Sequence, residues 1–209
     1  MSEISTKVGE NTTVCSGYLK NLISLGIIKK ETPYGEKTSK KSIYSIEDNM
    51  FRFWYRFVPD NASAIARGAE NLVYKRIESQ LNDYMGRVFE EICTQYLWKL
   101  LLEGKMPIEF VSLGRWWEND PRKKAQTEID IMGEKDSDSA VFAECKWRSE
   151  NIDSDVLETL VDRSGLFHYT KMHYFLFSKT GFTKGCVEKA GKMGNVTLVT
   201  YDDIVRSQK

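Results

Sequence analysis

The feature that most constrains this chain is a pair of β-patterned segments, TEIDIMG (127–133) and AVFAECKWR (140–148), joined by the polar turn EKDSDS. Successive side chains of a strand point to opposite faces. AVFAECKWR therefore carries Phe142, Glu144, Lys146 and Arg148 on one face and Val141, Ala143, Cys145 and Trp147 on the other. By the same alternation Glu128, Asp130 and Met132 share a face of TEIDIMG, with Ile129 and Ile131 opposite. A hairpin centred on Ser137 sets Asp130 across from Glu144. Like charges opposed across a ladder are destabilising, so this placement calls for a cation between them. Lys146, one pleat along, cannot neutralise both.

Hydrolysis of a phosphodiester uses such an arrangement. A hard divalent ion is held by one or two carboxylates, waters and the substrate phosphate. It stabilises charge on the phosphoryl oxygens and acidifies a bound water, and a neighbouring lysine can stabilise the developing negative charge. The alternative is a solvated face with cross-strand ion pairs.

Around this hairpin the pattern alternates between helix and strand. In GRVFEEICTQYLWKLLL, Phe89, Ile92, Cys93, Tyr96, Leu97 and Leu100 form one helical stripe. Glu90 borders that stripe beside Leu97 and Leu101, and Glu91 is expected to face water. A strand at 108–113 and a loop GRWWENDPRKK precede TEIDIMG; a helix over about 153–168, the strand MHYFLFS, a helix over about 184–192 and the strand VTLVTY follow AVFAECKWR. Such alternation indicates a sheet covered by helices on both faces.

The N-terminal quarter is different. Residues 12–25 place Val14, Tyr18, Leu22 and Leu25 on one stripe, with Thr12 or Thr13 as N-cap and Gly26 as stop. Two short β-like runs, 27–32 and 42–46, flank the loop PYGEKTSKK. A helix followed by a basic hairpin is the back half of a winged helix-turn-helix, and only about a dozen residues precede it, as though the chain were part of a longer protein. The aromatic-dense FRFWYRFV (51–58) reads as an interface helix, and another helix is expected over 70–81.

Thirty basic residues balance thirty acidic ones, so nucleic-acid binding would have to come from local patches. No apolar run is long enough to span a membrane, and the polar N-terminus lacks a signal-peptide core. Cys15, Cys93, Cys145 and Cys186 show no paired zinc spacing, which fits buried free thiols in a reducing cytoplasm. Lys37, Lys40 and Lys41 in the hairpin, and Arg115, Arg122, Lys123 and Lys124 around Trp116 and Trp117, are the candidate phosphate contacts. The tryptophans themselves read slightly better as core. Gly35-Glu36-Lys37-Thr38 lacks the glycines of a phosphate-binding loop, so ATP hydrolysis is not expected. His168 and His173 read as packing or surface residues.

The order helix-Glu, strand-Asp, strand Glu-x-Lys resembles the PD-(D/E)xK, or restriction-endonuclease-like, superfamily. The blocks carrying the resemblance are Gly86–Glu91, Gly114–Trp117, Glu128–Ile131, Glu144–Trp147 and Phe177–Phe182, with FRFWYRFV ahead of them. In this order they look like the C-terminal domain of a group of archaeal and bacterial AAA-type ATPases of poorly defined function. The resemblance implies Asp130 and Glu144 as ligands of Mg²⁺ or Mn²⁺, Lys146 as catalytic lysine and Glu90 as the helix carboxylate. Ile129 stands where many members have proline. It further implies an α/β, three-layer α/β/α restriction-endonuclease-like domain over 83–209, after a partial winged helix (1–48) and a helical linker (49–82). DNA is the expected substrate and an AAA-type ATPase domain in the same full-length chain the expected partner, without membrane contact. The competing reading is a non-catalytic DNA-binding or ATPase-docking module that keeps the nuclease fold.

Overall fold

A computed structural model describes residues 2–36 and 41–207. The chain divides into two compact units, one of Met1–Thr32 and Lys37–Ile77, the other of Pro33–Glu36 and Glu78–Lys209.

In the first unit, helices α1 (Ser2–Val8) and α2 (Thr12–Ser24) precede the strands β1 (Ile28–Glu31) and β2 (Ile43–Ile46), which pair antiparallel. Asn11, rather than either threonine, caps α2 by accepting the Val14 N–H at 2.9 Å. The buried stripe of α2 is Cys15 and Leu19, whereas Tyr18 and Leu25 are exposed. The expected stripe is thus one residue out of phase, because the helix packs the small Cys15 inward. Helix α3 (Asn49–Phe57) starts at Asp48, whose side chain accepts the Phe51 N–H, and buries Phe57 while leaving Trp54 and Tyr55 exposed. A 3₁₀ turn, α4 (Ala62–Ile65) and α5 (Glu70–Glu78) follow.

The second unit is a five-stranded mixed sheet between helices. Helix α6 (Leu81–Leu102) leads into β3 (Gly114–Asp120), β4 (Ala125–Asp136), β5 (Ser139–Lys146), α7 (Ser154–Ser164), β6 (Lys171–Ser178), α8 (Lys184–Met193), β7 (Val196–Thr200) and α9 (Tyr201–Arg206). The strands lie in sequence order; β3, β4 and β5 are antiparallel, and β5, β6 and β7 parallel. Parallel neighbours need a crossover, which α7 and α8 supply. On one face Ile131, Val141, Ala143, Cys145, Phe175 and Phe177 pack with Phe89, Cys93 and Leu97 of α6. On the other, Ile129, Met132, Phe142 and Leu176 pack with Leu157 and Leu160 of α7 and Cys186 of α8. The three-layer α/β/α arrangement is therefore formed.

Two elements depart from the sequence reading. Residues 108–113 are not a strand, and the stretch read as a loop from Gly114 is β3. Trp117 is buried, and Trp116 packs edge-on to Phe167, so the arginine–tryptophan run alternates faces as a strand must. The 110–113 segment instead crosses Gly133, where a Cβ would stand 2.7 Å from the Ser112 carbonyl oxygen. The closing helix α9 goes beyond the sequence reading; it is fixed by a reciprocal capping box between Thr200 and Asp203. Tyr34, read as part of the loop PYGEKTSKK, is built into the second unit: its N–H donates to the Arg115 carbonyl at 2.8 Å, and its hydroxyl accepts the Glu134 N–H at 3.1 Å.

Candidate active site

The β4–β5 ladder pairs Ile131 with Ala143, Met132 with Phe142 and Gly133 with Val141, the register of a hairpin centred on Ser137. Its regular pairing stops at Ile131, one step before Asp130 and Glu144. There the Asp130 carboxylate itself accepts the Cys145 N–H at 2.8 Å.

On its other edge β4 carries a bulge. Gly114 pairs with Met132 and Trp116 with Ile129, so Arg115 faces both Asp130 and Ile131. Two consecutive residues then share a face. Ile129 and Met132 pack toward α7 and Ile131 toward α6, so strict alternation is broken between them. Strict alternation puts Asp130 with Met132; the bulge falls between them, and Asp130 senses the charge of Glu90 on α6.

Asp130 and Glu144 are buried, at 6% and 4% exposure. Burial, then the nearby charges of Glu144 and Glu90, push the Asp130 carboxyl up to about 7. Lys146 Nζ donates to Glu144 Oε1 at 2.7 Å. Burial pulls the Lys146 ammonium down, but Glu144 and Asp130 outweigh it and hold it above its ordinary value. Glu90 is half-buried, 3.5 Å from Arg87 and 3.8 Å from Arg115. Burial raises its carboxyl, against the opposing pull of those two arginines. Glu91 is half-buried as well, contrary to the expectation that it faces water, because α6 is covered over more than one stripe.

A residue that the sequence pattern did not single out completes the cluster. Arg163, near the end of α7, donates from Nη1 to both Glu144 oxygens, at 3.2 and 3.1 Å. Its position on an amphipathic helix gave no signal, since an arginine in a last turn ordinarily serves the helix dipole.

Several candidate phosphate contacts are engaged internally. Arg115 bonds Glu128 at 2.7 Å and lies over the Trp117 ring, while Arg122 clasps buried Asp120 and also reaches Asp162. Lys123 bonds Asp162 at 2.6 Å. Their charges are met by carboxylates of the fold because the β3–β4 turn lies against the end of α7. Lys124 is exposed at that turn with a left-handed backbone, φ 52°. Lys37 and Lys40 lie outside the described residues; Lys41 is exposed. His173 bonds the Thr197 hydroxyl, and Ser178 closes the turn before Gly181, so both serve packing. All four cysteines are free and buried.

Among the described residues, no group of three or more His, Cys, Asp or Glu side chains could hold a metal ion. Asp130 and Glu144 are a two-carboxylate donor set. That suits Mg²⁺ or Mn²⁺, which keep several waters, and burial with the nearby charges of Glu144 and Glu90 disfavours the bare Asp130 carboxylate. The pair fits a divalent ion on these grounds. No helix among the described residues is long and apolar enough to cross a membrane.

Residues 54–157 match the DUF234 family model, described as archaeal and bacterial proteins of unknown function. An uncharacterized protein of Methanocaldococcus jannaschii, MJECL04, is 35% identical over 150 residues, covering 71% of this chain and 32% of the relative. The chain thus spans about one third of that relative's length. Among solved structures, the protein of unknown function AF1548 aligns at TM-score 0.37 and 17% identity over 56% of this chain and 66% of its own. The MspJI restriction endonuclease, solved with a 27-mer oligonucleotide, aligns at TM-score 0.37 and 14% identity over 65% of this chain and 30% of its own. The modification-dependent restriction endonuclease AspBHI gives 0.28 and 14%, over 57% and 34%.

Proposed function

We propose that the second unit hydrolyses phosphodiester bonds of DNA with Mg²⁺ or Mn²⁺ held by Asp130 and Glu144. The observation that carries this reading is the pair of buried carboxylates Asp130 and Glu144 at the end of the ladder, with Lys146 in hydrogen-bond contact with Glu144. The ion, when bound, supplies charge stabilisation at the phosphoryl oxygens and a more acidic water.

The protein's own groups do the rest. Lys146 stays protonated and donates toward the phosphate oxygen that gains charge. Glu90, with its raised proton affinity, takes up the proton of the attacking water. The apolar packing on both faces of the sheet fixes the strand and helix that carry these groups. The helix and hairpin of the first unit act in this reading as a partial winged helix that holds the DNA backbone through Lys37, Lys40 and Lys41. An AAA-type ATPase domain in the same full-length chain is the proposed partner, and a cytoplasmic setting, consistent with four free thiols, belongs to the same proposal.

The test is incubation of the protein with single-stranded, duplex and branched DNA in Mg²⁺ or Mn²⁺, with Lys146→Ala as control. Metal-dependent cleavage that disappears in the variant supports the reading; no cleavage of any substrate overturns it.

A non-catalytic DNA-binding or ATPase-docking module is the second reading, favoured by the contact of Arg163 with both oxygens of Glu144. DNA binding unaffected by metal and by Lys146→Ala would support it.

A further inference from the structure

Arg163 is placed in a way its sequence position does not require. Arginines in a last helical turn commonly reach toward the terminal carbonyls. This one turns inward and sets Nη1 between both oxygens of Glu144. The backbone on either side is tied down. Asp162 is held by Lys123 at 2.6 Å and by Arg122 at 3.4 Å, and the Ser164 hydroxyl bonds Val161 at 2.8 Å and Tyr174 at 2.9 Å. The root of the Arg163 side chain is therefore fixed, whereas its guanidinium lies where the site meets solvent, the side chain being 22% exposed against 5% for Glu144.

The two Glu144 oxygens are unequally shared. Oε1 accepts from Lys146 and Arg163, and Oε2 from Arg163. A divalent ion bound to Asp130 and Glu144, as in the reading above on which this inference rests, would share the Glu144 carboxylate with the Arg163 guanidinium and the Lys146 ammonium. Three cations around one carboxylate repel one another, so the guanidinium, the most weakly hydrated of them, gives way. Once displaced, the guanidinium stays tethered beside the ion. Its planar fork matches two oxygens of a phosphate better than a lysine does.

We propose that Arg163 occupies Glu144 as a stand-in cation, leaves it when the divalent ion arrives, and then clasps the phosphodiester to be cut. Metal and DNA are thereby coupled: the ion frees the phosphate-binding group, and by reciprocity a phosphate that draws Arg163 away opens the metal site. Arg163 is in this sense a catalytic residue, touching the substrate phosphate, whose resting position keeps the metal site closed.

The experiment compares wild type, Arg163→Gln and Arg163→Lys in two measurements: Mn²⁺ affinity of the DNA-free protein by calorimetry, and single-turnover cleavage at saturating Mn²⁺. Arg163→Gln removes the competing cation, so Mn²⁺ binds about tenfold tighter. It also loses the phosphate clasp, so cleavage slows about 100-fold. These opposite movements cannot come from a residue that only fastens α7 to the sheet, whose removal would weaken metal binding. Arg163→Lys keeps the competing charge but not the fork; its Mn²⁺ affinity stays near wild type while cleavage falls about tenfold. Should Arg163→Gln fail to fold, this second variant decides the matter. Unchanged or weaker Mn²⁺ binding in folded Arg163→Gln, or wild-type cleavage by either variant, overturns the role of Arg163 and leaves the nuclease reading intact. A wild type that neither binds Mn²⁺ nor cuts overturns both.

Discussion

The carboxylate of Asp130 accepts the backbone N–H of Cys145 at 2.8 Å, so a side chain stands in for a main-chain acceptor where regular β4–β5 pairing has ended. One oxygen of Asp130 is thus committed to holding the strands together. Its charge is opposed by burial and by Glu144 and Glu90.

The first prediction concerns pH in the absence of metal. Asp130 is raised from 3.8 to about 7, so between these values the folded protein binds more protons than the unfolded chain. Stability contributed by its protonated form is present at low pH and lost as pH rises through about 7. Carboxyls held low, such as Asp120 at about 2, change stability only below their unfolded value. Half-buried His173 is lowered and acts in the opposite sense near neutrality, so a variant must serve as reference. Asp130→Asn keeps the acceptor for Cys145 and removes the titration. The stability of wild type relative to this variant, read from melting curves, should fall from pH 5 to 7.5 in chelator by an amount on the order of 2–4 kcal/mol. A constant difference would sink the assignment.

The second prediction follows from the same pair. Mg²⁺ or Mn²⁺ binding to the folded state alone stabilises it by RT ln(1 + [L]/Kd), about 2.7 kcal/mol at one hundred times Kd. Wild type should gain that stability and Asp130→Asn should not. Because the ion displaces a proton from Asp130 below neutrality, affinity should drop by up to about tenfold per pH unit under 7. Identical melting curves with metal and with chelator contradict the metal site.

The third separates adjacent carboxylates on α6. Glu90 is drawn toward Arg87 and Arg115 and senses Lys146, whereas Glu91 lies on a different side of the helix. Glu90→Gln should slow cleavage by about 100-fold, the lower range for removal of a general base. Glu91→Gln should stay within about threefold of wild type, measured by single-turnover cleavage. Equal slowing by both would mean that α6 presents neither carboxylate specifically.

The fourth concerns which cations meet DNA. Neutralising Lys37, Lys40 and Lys41 together should flatten the dependence of log affinity on log salt by about 0.9 for each DNA phosphate that is no longer neutralised. Arg122→Ala should leave that slope unchanged and instead lower the melting temperature, since it releases buried Asp120 and one tie to Asp162. A changed slope in Arg122→Ala, with unchanged melting, would place the DNA surface at the β3–β4 turn.

Much of this architecture is written locally. The alternation in AVFAECKWR, the short polar turn after TEIDIMG and the stripe Phe89, Cys93, Leu97 each depend on residues within one or two elements, and periodicity assigns their side chains to faces. That is why the hairpin register, and with it the approach of Asp130 to Glu144, is legible in the chain itself. The phase of the α2 stripe, the strand at Gly114 and the burial of Tyr34 are not, because each depends on what a distant segment offers as a packing partner. Two features of the site belong to the tertiary structure as well. The bulge opposite Arg115 breaks the alternation at Asp130, and it exists only as a mismatch between two strands. The clasp of Arg163 on Glu144 joins residues nineteen apart through the packing of α7 on the sheet. Local pattern sets Asp130 and Glu144 across from each other, because register depends on neighbours in the chain; only the folded sheet decides that Arg163 answers Glu144, because α7 must first pack on it.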